Sequence, residues 1–80
     1  MTDYEQAAAG CFCVIFRHGI WEVTQDGKLC AERPDRSSAV ERARELASTD
    51  GAEVWVFYSS GRLWWKESAN IVVGKSMSNN

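Results

Sequence analysis

The residues of this 80-residue chain with most scope for chemistry are its three cysteines and its one histidine. Cys11 and Cys13 lie two apart in a stretch rich in aromatic and β-branched residues. A strand there turns both thiols to one face, with about 7 Å between them along the backbone. Cys30 is expected on a neighbouring strand, beside Val23 on the opposite face. The three thiols then do not converge, and His18, expected in a turn, offers none of the ligand spacings of a zinc finger. They read as small buried hydrophobes, with no metal site and no cofactor. Nucleophilic or general acid–base catalysis needs a positioned pair, yet His18 has no obvious partner and the chain carries no GxSxG, Gly-rich phosphate loop or HExxH pattern. No catalytic residue is assigned, and the expectation is a protein that is not an enzyme.

An odd number of cysteines leaves at least one thiol free, which suits a reducing cytoplasm, the expected location. Ala8-Ala9-Gly10-Cys11 looks superficially like a lipoprotein cleavage site. Asp3 and Glu5 precede it without any Lys or Arg, however, the reverse of a signal peptide's basic start. The longest weakly polar run, residues 7–16, falls far short of the roughly 20 residues a membrane helix needs, so no membrane contact is expected. Nine Lys plus Arg against eleven Asp plus Glu give a net charge of −2, which argues against a dedicated nucleic-acid binder held by phosphate contacts. With 45% hydrophobic and 25% charged residues and a single Pro, the composition is that of a folded globular domain and not of a disordered tail.

A β-rich scaffold must position these residues. Residues 11–17 and 20–25 read as strands, Trp21 and Val23 alternating with Glu22 and Thr24. His18-Gly19 between them fits a two-residue turn, because Gly takes positive φ freely and His tolerates it. Asp26-Gly27 repeats the signal and leads into a third strand, residues 28–33, which Pro34 ends by withholding a backbone donor. Ser38 followed by Glu41 has the form of a capping box, and Ala39, Val40, Ala43, Leu46 and Ala47 recur at helical spacing as far as Gly51. Glu41, Arg42, Arg44 and Glu45 fall off that stripe and read as a solvated face. Residues 53–58 and 62–67 read as the last two strands, around a turn at Ser60-Gly61. The expected fold is α+β, an antiparallel sheet of four to five strands with one helix packed on one face, in the order β-β-β-α-β-β. One domain is expected over residues 10–68, between a loose N-terminal segment, residues 1–9, and a C-terminal tail, residues 69–80.

A two-residue loop at His18-Gly19 sets Phe16 beside Trp21 and Val14 beside Val23 on the core face. The same arithmetic around Ser60-Gly61 sets Val56 beside Trp65 and Tyr58 beside Leu63 on one face. Phe57 then lies beside Trp64, and Trp55 beside Lys66, on the other. A helix about 18 Å long and 10 Å wide cannot shield both faces of a sheet roughly 20 Å across. The second face, with Trp55, Phe57 and Trp64 next to Ile15, is therefore expected bare unless Ile71-Val72-Val73 or sheet twist covers it. The expected role is a non-enzymatic protein-interaction or self-association module. Trp55, Phe57 and Trp64 would be the anchors, with Arg62 and Lys66 as rim contacts to a protein partner or to a second copy in a homo-oligomer. The alternative is single-stranded nucleic-acid binding on the same face, bases stacking on the rings with local charge from Arg17, Arg62 and Lys66, although an RNP-type sequence is missing.

The series His18-Gly19-Ile20-Trp21-Glu22-Val23, then Ala39, Ala43, Arg44, Leu46 and Ala47, then Gly51-Ala52-Glu53-Val54 and Gly61-Arg62 resembles the small bacterial family catalogued as domain of unknown function 2188. The resemblance covers about residues 12 to 68. It implies a β-rich architecture and a bacterial or phage setting, and it brings no established activity or catalytic residues. Trp64-Trp65 departs from the polar residues that the family pattern implies after Gly61-Arg62.

Overall fold

His18 and Gly19, with φ of 56° and 78°, and Asp26 and Gly27, with φ of 52° and 82°, make two tight turns whose paired left-handed residues match the twist of the strands they join. They link β1 (Phe12–Arg17), β2 (Ile20–Gln25) and β3 (Lys28–Arg33) into an antiparallel meander. The structure, a computed structural model, describes residues 2–68. Ile71-Val72-Val73, considered above as a cover, lies outside the described residues. The β1–β2 register is the expected one, with Phe16 opposite Trp21 and Val14 opposite Val23.

Helix α1 (Arg36–Asp50) is capped by Asp35 and not by Ser38. Asp35 Oδ2 accepts the Ser38 backbone N–H at 2.9 Å and its Oδ1 accepts the Ser38 hydroxyl at 3.1 Å. An aspartate already placed to take that amide starts the helix one turn before the expected capping box. Gly51, at φ 69°, ends it in the left-handed conformation. The buried face of α1 consists of Ala39, Val40, Ala43 and Ala47, small enough for the helix to lie close on Phe12, Val14, Val23, Val54 and Val56.

After α1 come β4 (Glu53–Phe57) and β5 (Leu63–Ser68), and the sheet runs β3-β2-β1-β4-β5. The fold is α+β, but the sheet is mixed: β4 lies parallel to β1, where a wholly antiparallel sheet was expected. The reason is directional. β1 and β3 are the free edges of the meander and run the same way, and α1 returns the chain to the end where both begin. Whichever edge β4 joins, it pairs in parallel.

The second face of the sheet is covered. Residues 2–9 cross it as a strap. At the β4–β5 loop, Tyr4 N–H donates to the Gly61 carbonyl at 2.9 Å and Leu63 N–H donates to Asp3 Oδ2 at 2.8 Å. At the β2–β3 turn, Gly10 N–H donates to Asp26 Oδ1 at 2.9 Å and Gln25 Nε2 donates to the Gly10 carbonyl at 3.0 Å. Between these anchors the Tyr4 ring meets Phe57 edge-on at 5.3 Å, and its hydroxyl lies 3.0 Å from Thr24 Oγ1. Tyr4 and Ala7 close over Cys11, Cys13, Ile15 and Phe57, all buried. Gly61, at φ +95°, sits so near the strap that a Cβ there would lie 2.8 Å from Thr2 Cβ. The segment expected to be loose is a third layer of the fold. Among the described residues no helix is long and apolar enough to cross a membrane.

Glu67 fastens the helix to the outer strand. Its carboxylate accepts from Arg44 Nε at 2.6 Å, from Arg44 Nη2 at 3.1 Å and from the Trp65 indole N–H at 3.0 Å. The Arg44 hydrogen bonds hold the Glu67 carboxyl below the ordinary glutamate range, against the opposing pull of burial. A depressed carboxylate contributes stability that is present above the unfolded pKa, about 4.3, and is lost as pH falls through the lower folded value. Glu67→Gln is expected to lower stability by about 0.5–1 kcal/mol at neutral pH, the tie being partly solvated. The difference from wild type should shrink in denaturant titrations as pH falls below about 4 and vanish once the carboxyl is protonated in the folded and unfolded states alike.

Candidate functional site

The five residues expected on one binding face are divided by the structure. Phe57 is fully buried beneath the strap. Trp55 shares that side, half-buried, with its indole N–H donating to Glu53 Oε1 at 2.9 Å and Lys66 Nζ lying 4.7 Å from its ring centre. Arg62 is exposed in the loop before β5. Trp64 is on the opposite side. The hairpin pairs Trp55 with Lys66 and Val56 with Trp65 as expected, but an irregularity follows and Phe57 pairs with Leu63 instead of Trp64. One extra residue in a strand reverses the alternation beyond it, and Trp64 passes to the helix side. The bare second face expected from the sequence is thus replaced by a sealed one.

Aromatic surface does remain open, at the end of the sheet where α1 begins. β1, β3 and β4 finish at this end, and β2 and β5 start there. The Tyr58 ring stacks on Trp64 at 4.6 Å and 6°. The Arg36 guanidinium, in the first turn of α1, lies 4.3 Å from the Trp64 ring centre. Trp65 meets Trp64 edge-on at 5.3 Å. Across the sheet Phe16 and Trp21 form a second pair at 5.4 Å, and continuing the β1–β4 register from Val14 opposite Val56 brings Tyr58 level with Phe16. Phe16 is 38% exposed, Tyr58 45% and Trp64 38%, because the helix starts too late along the strands to reach over them.

Charges of both signs border these rings. Arg33, opposite Trp21, ends β3, Asp35-Arg36 opens α1, and Arg62 stands in the neighbouring loop. Arg17 is already engaged, with Nε and Nη2 donating to Glu22 Oε1 at 3.2 and 3.1 Å. Tyr58, Phe16, Trp21 and Arg36 were not among the expected site residues. The first three could have been found from the sequence by noting that strand residues next to the β3–α1 connection lie beyond the helix's reach. The passage of Trp64 across the sheet could not.

The cysteines also depart from expectation. Cys11 and Cys13 do share a face, but their sulfurs are 3.6 Å apart, since side chains can lean together where backbone positions stay distant. Cys30 is exposed at an irregularity of the β3 edge and does not face Val23, which pairs with Ala31. Among the described residues no group of three or more His, Cys, Asp or Glu side chains converges as a metal site would require. A cleft of about 270 Å³ between the strap and the β2–β3 turn is lined by Tyr4, Glu5, Ala7, Ala8, Thr24, Asp26 and Gly27. That lining holds no nucleophile paired with a base. No family model, curated protein or solved structure matches the chain.

Proposed function

We propose that the protein is a non-enzymatic interaction module that pairs with a second copy of itself through the aromatic end of the sheet. The observation that carries this reading is the gathering of Phe16, Tyr58 and Trp64, all exposed, beyond the start of α1. Trp, Tyr and Arg are the residues from which interface anchors are most often built. The mixed charges of the rim favour self-pairing, since a two-fold rotation can set Arg33 and Arg36 of one copy against Asp35 of the other. The resemblance to domain of unknown function 2188, which rests on the residue series from His18 to Arg62, belongs to the same proposal, as does a cytoplasmic setting, supported by the free thiols.

Area sets the affinity. The exposed parts of three rings amount to about 250 Å², well below the roughly 800 Å² per partner of a stable complex. The rim must supply the remainder, and the dimer is therefore weak, with a dissociation constant of about 10–100 μM. Sedimentation velocity over a concentration series is expected to show this equilibrium, and Trp64→Ala to weaken it about tenfold or more with the fold intact. A protein that stays monomeric at millimolar concentration would sink the proposal.

Single-stranded nucleic-acid binding is the second reading, favoured by the Arg36–Trp64–Tyr58 stack, which offers ring faces and a cation together. The net charge of −2 and the mixed-sign rim weigh against it. It would displace the dimer reading if short oligonucleotides quenched tryptophan fluorescence saturably at low salt, with loss on adding salt.

A further inference from the structure

Outside the aromatic end, one pair of reactive groups has no part in the proposed function. Cys11 and Cys13 are both buried, with sulfurs 3.6 Å apart. We propose that they form a proximal dithiol that closes to an intramolecular disulfide on meeting a small-molecule disulfide oxidant, and that the strap of residues 2–9 controls access to it.

Geometry supports closure. Residues two apart on a strand have Cα atoms about 6.4–6.8 Å apart, the upper edge of what a disulfide accommodates, and the sulfurs must approach by about 1.5 Å to reach bonding distance. Cys11 lies just outside β1, which begins at Phe12, and follows Gly10, at φ +83° with open space around its Cα. The adjustment can therefore be taken at Gly10 and Cys11 without breaking the paired strand. Cys30 is exposed at the far edge of the sheet, with β2 between β3 and β1, and cannot replace either partner.

The reaction balances without any other reagent. Cys11, deprotonated, attacks one sulfur of the oxidant; the oxidant's S–S bond breaks and its other half leaves as a thiolate that takes up a proton. Cys13, deprotonated in turn, attacks Cys11 sulfur in the mixed disulfide and expels the second thiol. Two protein thiols are oxidised and one disulfide is reduced to two thiols. In the closed structure burial pushes both cysteine pKa values up, so both groups stay protonated and inert. Tyr4 and Ala7 are the strap residues packed against them, and lifting the strap is what admits water and oxidant.

The test uses the full chain carrying Cys30→Ser, incubated in oxidised and reduced glutathione mixtures, acid-quenched and alkylated. Closure gives a protein about 2 Da lighter with no alkylatable thiol, restored by dithiothreitol, whereas Cys11→Ser and Cys13→Ser in the same background stop at a single glutathione adduct or remain reduced. Two alkylatable thiols at every ratio, or a lasting adduct on the chain that retains both cysteines, would overturn the pairing. Tyr4→Ala removes the ring over the cluster and Asp3→Ala releases the strap from Leu63 while keeping that ring; each is expected to speed oxidation about tenfold. An Asp3→Ala protein that folds normally and oxidises at the wild-type rate would refute the role of the strap, even if Tyr4→Ala fails to fold.

Discussion

Phe57→Ala is expected to destabilise the protein by about 3–5 kcal/mol, because a large ring is removed from a packed site that can collapse only in part. Phe57 is fully buried, meets Tyr4 edge-on at 5.3 Å and lies 6.4 Å from the Trp55 ring. Its loss leaves a void between the sheet and the strap, so the strap loosens too. Urea unfolding followed by tryptophan fluorescence measures the loss directly. The contrast with Trp64→Ala separates core from interface: Trp64 is 38% exposed, and its truncation should cost about 1 kcal/mol or less in stability while weakening the dimer. If Phe57→Ala left stability within about 1 kcal/mol of wild type, the second face could not be sealed as described.

Deletion of residues 2–9 has the other large expected effect, a loss of about 3–5 kcal/mol from the burial of the Tyr4 ring and Ala7 together with the strap's hydrogen bonds to the sheet. The deletion bares Cys11, Cys13, Ile15 and Phe57 in one patch. A small domain has little stability to spare, so the truncated chain should bind the dye ANS and aggregate on concentration. Differential scanning calorimetry is the check, and an unchanged midpoint would mean that the strap contributes nothing. Both predictions concern the same buried face, but Phe57→Ala damages it from within and the deletion from outside. Combining them should therefore cost less than the sum of the two.

Much of the fold was legible because it is written in short-range signals. The His18-Gly19 and Asp26-Gly27 turns need residues that accept positive φ, and a two-residue loop leaves the register of its strands no freedom. Gly51 marks the helix end for a similar reason. The parallel pairing of β4 was also within reach, since both free edges of the meander point the way β4 must run; the directions had only to be followed. The helix start was misplaced by a turn because Asp35 and Ser38 are both good caps, and local sequence does not say which one is used.

The candidate site was less legible. Trp64 changes side through one irregularity in the hairpin, whose loop closes as three residues, Ser59-Ser60-Gly61, with Gly61 N–H donating to the Tyr58 carbonyl and Tyr58 N–H to the Arg62 carbonyl, where a two-residue Ser60-Gly61 turn was expected. Residues 2–9 lack the periodic apolar pattern of a helix or strand, because a strap held by one aromatic ring and a few backbone hydrogen bonds requires none.

The chain by itself determined the strands, the His18-Gly19 and Asp26-Gly27 turns, the helix and the inward faces of β1, β2 and β4, since these depend on neighbours a few positions apart. Only the tertiary structure decided which edge β4 would join, which rings would face solvent and where the N-terminal residues would lie. Those outcomes follow from contacts between distant parts of the chain, such as Asp3 with Leu63 and Tyr4 with Phe57, whose strength depends on a geometry that exists only once the sheet has formed.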